Sequence, residues 1–381
     1  MMTILLGVFA IATGVSALYL ERKLLRIQKP LETISVDSQK LREKIGATPP
    51  LWMLSQIQKD LSKYEAGIKE KMLNEAFQGK RINQLALVRF TIKDRHLSFS
   101  LDERNLNSFR FKQVLASMQL LNQEVELPNV DFIVSLEDAL DENCGMPLCP
   151  CFVFAKKETQ ASLVLIPDFK ALAGYHSLRD VIEKGNRKFS WKSKKAKGFW
   201  RGTSTGGHLT KTNWESFMRA RLVLLSLKYP KEIDARFHHV SQCDPDVPSI
   251  MKKKGMVGET VKKIDHLKYK YLVDVDGNSC TYERCFWILL SNSLLLKQES
   301  QNIQWYYGAI QPNKHYLAIK EDLSDLLQKI SWAQEHDEEA QKISERATQF
   351  VYDHLSSEDT LLYMYLLLKE YARFQKYTAR G

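Results

Sequence analysis

Apolar residues recur at helical spacing over residues 51–78, with no Gly or Pro before Gly67, and predict a helix there. The period then changes to two. Residues 86–92 and 97–101 alternate apolar and polar positions and predict strands. A second helix is predicted over 109–124. Residues 131–135 form a short apolar run that ends in the acidic pair Glu137-Asp138, and 163–167 read as another buried strand. In the second half strand and helix patterns take turns. Strands are predicted at 198–202, 269–274 and 294–297, and helices at 214–229, 282–290, 322–335 and 337–355. Ser356 and Asp359 form a capping box for a last helix to about Tyr377. This alternation predicts α/β layers around a mostly parallel sheet, whose ligands sit beyond the strand C-terminal ends and at helix N-termini.

The first 20 residues carry no charge and just reach the length needed to cross a bilayer, with Arg22, Lys23, Arg26 and Lys29 after them. The expectation is an anchor helix over residues 1–25, with the remainder of the chain in the cytoplasm by the positive-inside rule. No basic segment precedes this stretch, which argues against a secretory signal, although Val15-Ser16-Ala17 is a tolerable cleavage site.

The chain has 381 residues, 55 basic and 45 acidic, a formal charge of +10. Its 44% hydrophobic content excludes a disordered chain, and six Cys are too few for a disulfide framework. The length suggests two domains. The excess charge is clustered. Eight basic residues and no acid fall between Lys184 and Arg201, and Lys252, Lys253, Lys254, Lys262, Lys263, Lys268 and Lys270 form a second group. Such a middle implies an anionic partner: nucleotide, phosphosugar, nucleic acid or membrane surface.

Three places carry candidate chemistry. WRGTSTGG over 200–207 is a loop of small residues after a strand, where backbone N–H groups can approach a phosphate and Arg201 can clamp it. It is neither a Walker loop nor GxGxxG, and a plain turn explains it equally well. DVDGNSCTYER over 274–284 offers a D-x-D pair for a metal on a nucleotide-sugar diphosphate, or a turn at Asp276-Gly277. Ser279, Thr281, Tyr282 and Arg284 then open a helix. Asp138, beside Glu137 at a strand end, is placed for general-base work or for capping a turn. Cys144, Cys149 and Cys151 have no C-x-x-C spacing and no nearby His, and His238-His239 is unsupported as a metal site.

Taken in order, FWRGTSTG (199–206), YKYLVDVDGN (269–278), LSNSLLLK (290–297), WYY (305–307), HY (315–316), DLSDL (322–326) and WAQEHDEEA (332–340) resemble glycosyltransferase family 90 over about residues 125–350. The resemblance implies a GT-B-like α/β fold: two Rossmann-like domains facing a cleft. Residues 26–195 would be the acceptor-side domain, 196–345 the nucleotide-sugar domain, and 346–381 C-terminal helices. It implies inverting transfer from a UDP-sugar without a metal or other cofactor. Asp138 would be the base. Arg201, Gly202, Thr203, Ser204 and Thr205 would bind the donor diphosphate, together with Ser279, Thr281, Tyr282 and Arg284. Secretory members carry a second Arg in the loop, where this chain has Ser204, and the chain lacks a KDEL-type ending.

The sequence reading is therefore a UDP-sugar glycosyltransferase anchored at a membrane surface, the inner membrane of a bacterium, acting on lipopolysaccharide or another glycolipid or glycan core. A protein O-glucosyl- or xylosyltransferase is the alternative acceptor reading, and a metal-dependent transferase using D-V-D a further enzyme reading. A basic nucleic-acid-binding protein is the non-enzyme reading. No RRM or helix-turn-helix motif supports it, so no nucleic-acid partner is expected.

Overall fold

The computed structural model describes residues 34–141 and 144–377. These form two compact units, one comprising the residues up to Gly174 and those from Ser357 onward, the other Tyr175–Ser356.

The first unit holds a five-stranded sheet with strands β1 (Leu87–Lys93), β2 (His96–Leu101), β3 (Val130–Ser135), β4 (Cys151–Val153) and β5 (Leu163–Leu165), in the order β2-β1-β3-β4-β5. β1 runs antiparallel to both of its neighbours, whereas β3, β4 and β5 are parallel. Asp94 and Arg95 close the β1–β2 hairpin with φ of +48° and +66°, the left-handed pair that matches strand twist in a two-residue turn. Every residue of β3 is buried. Phe90, Phe132 and Phe152 stack across β1, β3 and β4 with ring centroids 5.5 and 5.0 Å apart.

The helix expected over 51–78 is broken. It runs as α1 (Leu51–Leu61) and resumes at Glu70–Ala76, because Gly67 between them takes φ +107°. Asp60 of α1 is fully buried and accepts from Lys156 Nζ at 2.6 Å, Gln56 Nε2 at 2.9 Å and Leu165 N at 2.8 Å, which pins α1 to β5. The helix α2 (Phe109–Glu124) matches its expected bounds.

The second unit opens with α3 (His176–Lys188). β6 (Lys195–Thr203), α4 (Met218–Lys228), β7 (Ile233–His239), β8 (Tyr269–Asp274), α5 (Glu283–Leu289), β9 (Leu294–Gln298), β10 (Leu317–Ile319), α6 (Leu326–Glu335) and α7 (Asp337–His354) follow. Its sheet is parallel throughout, in the order β10-β9-β8-β6-β7. The chain leaves β6 to one side for β7 and crosses back to the other side for β8. The loops after β6 and β8 therefore diverge from neighbouring strands, and the crevice between them is the switch point at which open α/β sheets bind ligands.

The sequence reading changes domain at 195–196 and sets 346–381 apart; the structure divides the chain at 174/175 and 356/357. The reason is packing. α3 lies against the second unit: a Cβ on Gly185 would fall 2.4 Å from Leu267 Cδ2, and Asn186 donates to the Leu290 carbonyl at 2.7 Å. The helix α8 (Ser357–Phe374) returns to the first unit, where Tyr371 Oη donates to the Asp131 carbonyl at 3.0 Å and its ring meets Phe152 edge-on at 5.3 Å.

Among the described residues no helix is long and apolar enough to cross a membrane. The hydrophobic helix expected over residues 1–25 lies outside the described residues.

Candidate functional site

The loops at the switch point carry most of the residues expected to bind a donor. A cavity of about 270 Å³ opens there, lined among others by Arg201, Arg219, His238, Thr281 and Arg284. Arg201, Thr281 and Arg284 are foreseen in the sequence; Arg219 and His238 are not.

Arg201 leaves β6 with its guanidinium 4.5 Å above the Phe199 ring. Its Nη1 donates to the carbonyls of Trp200 (2.9 Å) and Asp234 (3.1 Å) and pairs with Asp234 Oδ1 at 2.9 Å, while its buried Nε has no hydrogen-bond partner. Arg284, in the first turn of α5, donates through Nη2 to the Arg201 carbonyl at 2.6 Å. The two arginines are thus locked to each other through backbone.

Arg219 reaches the same place from α4. Its Nε donates to Val275 O (3.2 Å) and Asp276 O (3.0 Å), Nη1 to Thr203 O (3.1 Å) and Thr205 Oγ1 (2.6 Å), and Nη2 to Val275 O (3.2 Å). One buried guanidinium therefore ties the loop after β6 to the loop after β8. Gly277 makes room for it, since a Cβ there would sit 2.8 Å from Arg219 Nη2 and 2.6 Å from Thr205 Oγ1. Gly206 N adds a second stitch, donating to Asn278 Oδ1 at 3.1 Å. Little in the sequence signals Arg219, one of two arginines in the first turn of its helix.

Several residues expected to touch the donor support the site from behind. Ser204 Oγ donates to Ser241 O (2.8 Å) and accepts from Ser241 N (2.9 Å). Thr203 and Thr205 accept from Arg219, and Gly202 leaves space for the Trp200 indole, 2.3 Å from where a Cβ would be. Thr281 Oγ1 donates to Asp274 Oδ1 at 2.6 Å. Tyr282 stands just before α5 at φ +40°. Ser279 Oγ is buried without a hydrogen-bond partner.

The charge of the site is dominated by guanidinium. Burial, and then the charge of Arg284, bring Arg219 down to about 10, so it stays cationic at neutral pH. Burial lowers Arg284 as well. The carboxylates nearby are engaged elsewhere: Asp234 with Arg201, Glu283 with Lys263, and Asp274 with Thr281. Neither Arg219 nor Arg284 is paired with a carboxylate among the described residues. A buried Arg219 and a half-buried Arg284 without counter-ions are unfavourable in an empty site and favourable once an anion enters. His266, whose ring packs edge-on against Phe199 at 4.9 Å and Trp287 at 5.4 Å, is held neutral down to about pH 3 by burial and by Arg284.

The D-V-D segment is committed to the fold. Asp274 is buried, which raises its pKa, and Asp276 Oδ2 accepts from Ser300 Oγ (2.5 Å) and Asn302 Nδ2 (2.9 Å). Among the described residues no three His, Cys, Asp or Glu side chains come together as a metal site.

Asp138 belongs to the first unit, just past the end of β3. It forms an ion pair with Arg110, which also donates to Leu136 O at 2.6 Å and lies 4.8 Å over the Phe169 ring. Its side chain keeps 36% exposure. Cys149 and Cys151 are buried in and beside β4, and burial pushes the Cys149 thiol up to about 12, so neither is a reactive thiolate.

The profile of glycosyl transferase family 90 matches residues 50–380. Protein O-glucosyltransferase 2 of Danio rerio is 29% identical over 84% of this chain and 62% of its own length. Protein O-glucosyltransferase 3 of Homo sapiens is 30% identical over 84% of this chain and 61% of its own. The chain thus spans about three-fifths of the length of these curated relatives. A solved structure of TarM shares 14% identity over 46% of this chain and 36% of that one, with a TM-score of 0.34. The expected placement, anchored at a bacterial inner membrane with a cytoplasmic catalytic domain, is corrected. The relatives are protein O-glucosyltransferases, and no described helix can span a membrane.

Proposed function

The chain belongs to glycosyl transferase family 90, and from that premise we propose that it transfers glucose from UDP-glucose to a hydroxyl group of a protein. The observation that carries the donor half is the pair of guanidiniums, buried Arg219 and half-buried Arg284, without carboxylate partners at the switch point of the second sheet. The similarity to protein O-glucosyltransferases supports the acceptor half, and it favours the protein reading over the lipopolysaccharide or glycolipid core expected from the sequence. The parallel sheet of order β10-β9-β8-β6-β7 is compatible with the nucleotide-binding half of a GT-B transferase.

In this reading Arg201 and Arg284 contact the diphosphate, and Arg219 holds the two loops at the spacing the phosphates need. Ser279 Oγ and Arg201 Nε are buried donors that a phosphate oxygen would satisfy. As the glycosidic bond breaks, charge develops on the departing UDP. Fixed cations stabilise it more than they stabilise the intact donor. Asp138 takes the acceptor proton, and Arg110 fixes the orientation of its carboxylate. The guanidiniums take the place of a metal.

The test is transfer of glucose to a panel of folded protein acceptors from UDP-glucose and UDP-xylose, with and without EDTA. Transfer from UDP-glucose that survives EDTA is expected. Activity lost with EDTA and restored by Mn²⁺ would move the reading to the D-V-D metal site, and glycolipid as the sole acceptor would restore the earlier one.

A further inference from the structure

His238 stands near the end of the edge strand β7 and lines the donor cavity with Arg201, Arg219 and Arg284. Some of the charges around it are paired. Arg201 is paired with Asp234 and Lys263 with Glu283, and His266 is neutral. On its own strand, the Arg236 guanidinium is turned back to Ser226 Oγ (2.9 Å) and Ala235 O (2.7 Å), and His239 is exposed. The neighbouring loop is bridged to Phe237 through Val257, brings Thr260 to the cavity, and leaves Glu259 exposed to solvent. The charges that act on the imidazole are those of Arg284, His239, Arg201 and Arg219, in that order. His238 is itself exposed at the cavity wall; desolvation there, and then these charges, hold its pKa below the ordinary histidine value.

A diphosphate in the cavity removes most of that field. Its two negative charges offset the guanidiniums, and it offers oxygens that an imidazolium can donate to. We propose that His238 is a proton-linked contact for the donor diphosphate: neutral in the free protein, it takes a proton from solvent as the diphosphate binds, so donor affinity rises as pH falls. The proposal rests on the donor reading above and adds to it a residue and a pH dependence. An upward shift of about one pKa unit on binding corresponds to at most about tenfold in affinity. The expectation is UDP-glucose binding about three- to tenfold tighter at pH 6 than at pH 8.

Isothermal titration with UDP-glucose tests this, because its diphosphate diester keeps the same charge from pH 6 to 8. Titrations in two buffers of different ionisation enthalpy should show uptake of part of a proton near pH 6.5. His238→Gln should bind at all pH values as wild type does at pH 8, without uptake. His238→Lys, permanently charged, should bind at pH 8 as wild type does at pH 6. His239→Gln should keep the wild-type dependence. Affinity that is flat with pH, or a dependence that survives in His238→Gln, would overturn the proposal while leaving the donor site standing. No binding of UDP-glucose at any pH would remove both.

Discussion

At the scale of single residues, the proposed base and the proposed donor site can be tested separately, because Asp138 and the arginines belong to different units. Asp138→Asn keeps size and hydrogen bonding but removes basicity, so transfer should fall by roughly 10²–10⁴-fold with UDP affinity nearly unchanged. Arg284→Ala should weaken UDP binding by at least several-fold and slow transfer as well, because a charge-assisted contact is lost. Titration with UDP and a transfer assay on both variants read this out. Near wild-type transfer by Asp138→Asn would pass the role to Glu137. The residues that the family resemblance picks out, such as Arg201, Thr281 and Arg284, lie within motifs that are continuous in sequence. Arg219 and His238 were not legible. Each enters the cavity from an element whose place beside β6 or α5 is fixed only by tertiary packing. Ser204 shows the converse: its loop is readable, but only the fold reveals that its hydroxyl faces Ser241.

At the scale of elements, most of the strongly periodic segments agreed with the sequence, the helix expected over 51–78 excepted. α2 and β8 have the expected bounds, and the β1–β2 hairpin follows from its alternation. β4, β7 and β10 were missed. β4 and β10 span only three residues each, and β7 is an edge strand that mixes charged side chains with the buried Ile233, Ala235 and Phe237. The basic clusters also read differently once folded. Lys194 is buried and donates to Ser291 O, Asn292 O and Ser293 Oγ at 2.6–2.8 Å, and Lys270 pairs with Asp337, so part of the charge is structural. The stitch between the two donor loops leads to a prediction. Gly277→Ala puts a methyl group against Arg219 and Thr205, and UDP affinity should fall about tenfold or more while the far-UV spectrum is kept. Unchanged affinity would mean that the loops can part without cost to the site. In the first unit, Asp60→Asn leaves Lys156 buried without its counter-ion and should cost about 3–5 kcal/mol in denaturant unfolding. A loss below about 1 kcal/mol would show that the Leu163 carbonyl, which also accepts from Lys156, is enough.

At the scale of the whole molecule, acid should destabilise the fold well before the carboxylates titrate. Burial lowers His266 to about 3 and His315 to about 4. Unfolding returns both to about 6.5, so between those values the unfolded chain binds more protons and stability falls as pH drops. The melting temperature should decline from about pH 6.5 downward, and His266→Phe should flatten that slope. An equal slope in the variant would place the acid sensitivity elsewhere. One feature of the chain path reaches into its synthesis. The second unit, Tyr175–Ser356, is continuous, whereas the first is closed by α8, which is made after it. Tyr363, Leu367 and Tyr371 of α8 are fully buried, so the first unit lacks part of its core until residue 374 has left the ribosome. The half of the protein that is translated first should therefore become protease-resistant last. On nascent chains arrested at increasing lengths, the unit Tyr175–Ser356 should be protected first, and the unit carrying Asp138 only after α8 emerges.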